Sequence, residues 1–171
     1  MSARGAPSGA IRRWRRFAQV VGVRLHYVER GSGTPLVMRH GVGSMATELM
    51  LSPLFSFAAA RYRVIAVDRP GYGYSTRPRG RLWTPQAQAT LVRQLLVQLG
   101  VERPVVFGHG YGALVALSLA LAYPTALRGL VLAAGYFFPT KRLDLPRAGH
   151  MVHHTDPRRV FQAIEAAARQ V

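Results

Sequence analysis

Segments with strand character alternate with segments of helical spacing along this chain, and the alternation predicts an α/β fold: a mostly parallel sheet of about six strands with helices on both faces. Three observations support it. Largely apolar runs at residues 36–39, 62–67, 104–107 and 127–134 are continuous, with no period of two, as strands covered on both faces require. Helical spacing fills the intervals between them. Glycine-rich loops stand at the carboxyl ends of the runs, where open parallel sheets gather their function.

The elements follow in order. Residues 17–21 and 23–29 read as two short strands around Gly22, and the turn Gly31-Ser32-Gly33-Thr34-Pro35 leads into the strand at 36–39. Residues 46–60 have helical spacing, which Pro53 must interrupt or restart. The strand at 62–67 ends at Asp68, and residues 69–81, dense in proline and glycine, form a long loop. Thr84 caps the next helix with Pro85 in its first turn; Leu91, Leu95 and Leu99 share one face and Gly100 stops it. After the strand at 104–107, residues 112–122 form an apolar helix halted by Pro124, and the strand at 127–134 closes the series. Beyond Gly135 the pattern stops until Asp156 and Pro157 start a last helix through Arg169.

Composition narrows the class. The length and a hydrophobic content of 49% predict a single domain with a sizeable core, residues 17–171, behind a basic flexible tail at residues 1–16. No apolar stretch is long enough to span a bilayer, and the tail lacks the apolar block of a secretory signal, so a cytoplasmic location is expected. The absence of cysteine excludes disulfides, thiolate nucleophiles and Cys-type zinc sites. A formal charge of +16 leaves two readings open. Either the run Ile11-Arg12-Arg13-Trp14-Arg15-Arg16 focuses a nucleic-acid or anionic membrane surface, or arginine fills ordinary solvent positions. The remaining arginines are scattered and no nucleic-acid-binding motif accompanies them, which favours the second.

Three motifs carry a more specific signal: His40-Gly41-Val42-Gly43-Ser44, Asp68-Arg69-Pro70-Gly71-Tyr72-Gly73-Tyr74-Ser75 and Gly108-His109-Gly110-Tyr111-Gly112. In order and in placement they resemble the oxyanion loop, the loop after the fourth strand and the nucleophile elbow of the α/β-hydrolase superfamily, in its esterase, epoxide hydrolase and haloalkane dehalogenase branches. The likeness resumes at Gly149-His150-Met151-Val152-His153-His154. It implies an α/β-hydrolase sheet, ancestral hydrolysis of small esters or related substrates, oxyanion donors at the backbone of Val42 and Tyr111, and His150 as the catalytic base.

Where the family places Ser, Asp or Cys, this chain has Gly110, flanked by the expected Gly108 and Gly112. Without a lone pair at the elbow a pseudoenzyme is expected. The family's acid follows a seventh strand and its cap follows the sixth, yet only residues 136–149 separate the last strand here from His150. Cap and last strands are therefore expected to be missing through an internal deletion with its junction at 136–149, and Asp144 is the one carboxylate left there to serve as acid. Gly108 to Ala113 also fits G-x-G-x-x-A, but no ribose-binding acid follows the next strand, so no dinucleotide or other cofactor is expected. Nor is zinc at His150, His153 and His154, because the adjacent pair would point apart in either regular structure.

Three functions remain open: a hydrolase homologue that has lost its activity, a non-catalytic binder of a small carbonyl or acid ligand on the retained oxyanion loops, and a basic interaction protein. The bare apolar edge at residues 127–134 is expected to seek a partner, which a second copy would supply as a homodimer.

Overall fold

The computed structural model describes residues 13–135 and 152–169. Six strands form one sheet: β1 (Arg15–Val20), β2 (Val23–Arg30), β3 (Pro35–Arg39), β4 (Arg63–Val67), β5 (Val105–His109) and β6 (Gly129–Ala133), in the order β1-β2-β4-β3-β5-β6. β1, β2 and β4 pair antiparallel, whereas β4, β3, β5 and β6 are parallel. The mostly parallel α/β sheet expected from the sequence is the one observed.

Local chemistry explains the elements. β1 and β2 form a hairpin in which Val20 faces Val23 across the two-residue turn Val21-Gly22, both at positive φ. That turn twists with the strands, although a β-branched valine is a costly choice for it. β1 begins at Arg15, two residues ahead of the expected strand, because an edge strand tolerates charge. The Arg15 guanidinium lies 4.1 Å from the centre of the Tyr74 ring. Helix α1 (Ala46–Leu51) stops where Pro53 begins α2 (Pro53–Ala59), and the Ser52 hydroxyl between them accepts from the Leu54 amide. In α3 (Pro85–Gln98) the Thr84 hydroxyl accepts from the Ala87 amide, and Gly100 follows at φ 62°. Helix α4 (Tyr111–Ala122) is followed by a short 3₁₀ turn at Pro124–Ala126. A short helix α5 (Val152–Thr155) precedes α6 (Pro157–Arg169), whose first turn is capped by Asp156 accepting from the Arg159 amide.

The sheet separates two cores. Val37, Ile65, Val67 and Val106 pack with Leu91, Leu95, Val115 and Leu119 of α3 and α4 on one face. Leu36, Met38, Val64, Ala66, Val105 and Phe107 pack with α1, α2 and α6 on the other. Alternate residues of each strand thus serve opposite faces, and burial on both explains the continuous apolar runs. The last helix lies on the face of the sheet: Val160, Ile164 and Ala167 recur on one side of α6, and a side chain at Gly129 of β6 would meet the Ala167 carbonyl oxygen at 2.4 Å. Among the described residues β6 pairs only with β5, leaving its outer edge without a strand. No helix among the described residues is long and apolar enough to cross a membrane.

Candidate active site

Parallel pairing brings three loops together. Arg39 of β3 is in register with Val67 of β4 and Gly108 of β5, so the chain leaves the sheet at His40, Asp68 and Gly110 side by side. Close contact between backbones holds the two glycine loops there. A side chain at Gly108 would come within 2.5 Å of the Gly112 carbonyl oxygen, and one at Gly112 within 2.4 Å of the Arg39 carbonyl oxygen. These glycines are required because the first turn of α4 lies directly on β5 and β3.

Gly110 occupies the turn itself, with φ 55° and ψ −122°, a combination that residues with side chains rarely adopt. Its amide donates to the Ala133 carbonyl at 2.9 Å, which ties the turn to β6. Tyr111 is the first residue of α4, so its amide has no acceptor within the helix. Gly41 packs against His109: a side chain at 41 would sit 3.2 Å from the His109 Nδ1. The loops carrying Val42 and Tyr111 are therefore neighbours. His150 and Asp144 lie outside the described residues.

Polar groups beneath the loops fix their shape. The buried His40 ring accepts from the Arg69 amide at Nε2, 3.0 Å, which leaves Nδ1 to donate to the Gly41 carbonyl at 2.9 Å. Burial and then the neighbouring Arg39 bring His40 down to about 4, so it is a neutral ring at physiological pH. Arg39 is itself buried, donates to the Val67 carbonyl, and is lowered to about 9 by that burial. Arg69 stacks between Tyr111, 3.9 Å from its ring centre, and Tyr72, at 4.4 Å, and reaches Gln88. Asp68 accepts from the Ala46 amide at 2.6 Å, from the Tyr74 amide at 3.1 Å, and contacts His26 Nδ1 at 2.6 Å. Burial raises its carboxyl, and these partners more than offset the rise, leaving it below the usual range.

His40 makes stability fall with acid. The unfolded chain takes up its proton near the ordinary histidine value of about 6.5, whereas the native ring refuses it until about 4, so the contribution is full above that first pH and lost on the way to the second. Between pH 7 and pH 5 this site is expected to cost about 2 kcal/mol. Arg39, Asp68, Arg69 and Tyr72 face the ring, and none of them replaces its titration in that interval. Urea unfolding of the native chain and His40→Gln at both pH values measures the difference; equal pH slopes would refute it.

A second cluster adjoins the elbow. His153 is fully buried, its ring 4.5 Å from that of His109 and 4.5 Å from that of His154. His153 Nε2 meets Glu48 Oε1 at 3.1 Å, and His154 Nε2 bonds the same oxygen. The adjacent histidines therefore converge, contrary to expectation, because successive helix positions differ by about 100° and long rings can straddle an acceptor between them. Nothing in the sequence pairs them with Glu48 of α1, and neither the Asp68 hub nor the Arg69 stack is visible there.

A family model described as alpha/beta hydrolase fold matches residues 34–157. 2-Hydroxymuconate semialdehyde hydrolase of Pseudomonas sp. (strain CF600) is 35% identical over 131 residues, covering 72% of this chain and 45% of its own length. Haloalkane dehalogenase 2 of Mycobacterium bovis (strain ATCC BAA-935 / AF2122/97) is 28% identical over 122 residues, covering 71% of this chain and 42% of its own. The crystal structure of an esterase from Rhodococcus sp. ECU1013 superposes with a TM-score of 0.64 at 32% identity, covering 71% of this chain and 46% of that one. The chain spans less than half the length of the curated relatives it matches.

Proposed function

Since the chain belongs to the α/β-hydrolase fold family, we propose that it descends from a hydrolase of small esters or related substrates and has lost the covalent step. Gly110 carries this reading: the turn keeps the backbone shape that elsewhere presents a nucleophile, and the residue on it has no side chain. No acyl or alkyl intermediate can form at that position. The same reading takes residues 136–149 as the junction of an internal deletion that removed the cap and last strands, supported by a family match that runs across that segment to residue 157.

One observation favours residual binding by the same loops. Tyr111 offers an amide without a helical acceptor, on a ring clamped by Arg69 beside the loop that carries Val42. Two backbone donors there would hold a small carbonyl or carboxylate ligand without transforming it. A single experiment with two arms tests the reading. The native chain is expected to turn over p-nitrophenyl acetate no faster than His150→Ala, and small carboxylic acids are expected to raise its melting temperature but not that of Val42→Pro. Turnover that disappears in the histidine variant would overturn the loss of activity; a thermal shift of equal size in the proline variant would overturn the binding mode.

A further inference from the structure

Three side chains that the elbow does not use converge on one point. Glu48 projects from α1, and His153 and His154 from α5; one ligand atom from each lies within 4.8 Å of the others. We infer that Glu48, His153 and His154 form a binding site for a borderline divalent transition metal, zinc being the best match, one aromatic ring removed from the nucleophile position.

Every member is held in place before any ion arrives. The Ser44 hydroxyl donates to Glu48 Oε2, which leaves Oε1 facing both imidazoles. The Ser52 hydroxyl donates to the His153 carbonyl at 2.6 Å, so the cap of α2 also anchors α5. His153 is wedged between the rings of His109 and His154. Its neighbours on the site are partly exposed, the Glu48 side chain by 26% and that of His154 by 32%, which opens one side to solvent. The site is thus buried at its floor and accessible at its mouth.

Ligand chemistry selects the ion. Two imidazole nitrogens and one carboxylate oxygen suit zinc, cobalt, nickel or ferrous iron, and are too few and too nitrogen-rich for magnesium or calcium, which take six or more oxygens. Zinc bonds of about 2.0–2.2 Å at tetrahedral angles separate ligand atoms by roughly 3.3 Å. His153 Nε2 and Glu48 Oε1 already stand 3.1 Å apart, and His154 Nε2, which bonds the same oxygen, must draw back from it to admit an ion among three atoms that lie within 4.8 Å of one another. Three protein ligands leave the fourth position to water. This site does not rest on the lost covalent step: it would bind metal whether or not the elbow turns over a substrate.

Calorimetric titration of the metal-free chain with Zn2+, Co2+ and Mg2+ tests the assignment. One equivalent of zinc is expected to bind and raise the melting temperature, magnesium is expected to do neither, and cobalt is expected to give the intense visible bands of a tetrahedral complex. Glu48→Gln and His154→Gln, both at partly exposed positions and checked for native circular dichroism, are each expected to weaken zinc by roughly tenfold or more. Zinc bound as tightly by both variants as by the native chain, or weak octahedral cobalt bands, would overturn it.

Discussion

Gly110→Ser is expected to be labelled by a serine-reactive phosphonate while the native chain stays unlabelled, and to be less stable by about 1–3 kcal/mol. The hydroxyl gives the label and the Cβ gives the strain. At φ 55° and ψ −122° glycine is comfortable, and any side chain restores the strain that an elbow normally stores. In subtilisin, loss of the nucleophile lowers turnover by roughly a million-fold, so its return at position 110 is expected to have a large functional effect. Gly110→Ala separates the terms: it should lose the same stability and gain no label. Urea unfolding and intact mass spectrometry after phosphonate treatment read the two. An alanine variant as stable as the native chain would refute the strain, and a labelled native chain would refute the missing nucleophile.

Asp68→Ala is expected to cost about 3–5 kcal/mol, enough to unfold much of the population. The carboxylate is wholly buried and serves the Ala46 amide, the Tyr74 amide and His26 at once, with Gly73 so close that a side chain there would collide with Oδ2 at 1.9 Å. Removing it strands the Ala46 amide and His26 in the interior and takes the acceptor from the part-buried Tyr74 amide. Asp68→Asn keeps one acceptor oxygen and should lose less than the alanine variant. Urea midpoints order the three proteins; an alanine variant within 1 kcal/mol of native, roughly the effect of an average substitution, would show that the hub is dispensable.

Those residues also mark how far the sequence can be read. Elements with a local cause are legible: Ser52 and Pro53 divide α1 from α2, Thr84 starts α3, and Gly108 and Gly112 announce a close approach of backbones. Features made by distant chain are not. Helix α5 is four residues long, too short for a period, and depends on Ser52 about a hundred residues away in sequence. The Glu48 cluster spans a similar separation, and the adjacent histidines look divergent until α1 supplies the oxygen they share. The antiparallel contact of β2 with β4 is likewise set by sheet order and leaves no mark in either strand. Charge misleads at Arg15 and Arg16, which look like tail and belong to an edge strand.

Contacts at Gly108 and Gly112 brace the turn from below, independently of what stands on it. Shape and reactivity at this turn are consequently inherited through different positions. A lineage can let the chemistry lapse at position 110 while selection for folding preserves the seat, and a GGC or GGT codon there regains serine by a single base change. On the proposed loss of the covalent step, a hydroxyl could return at position 110 without any rebuilding of the turn.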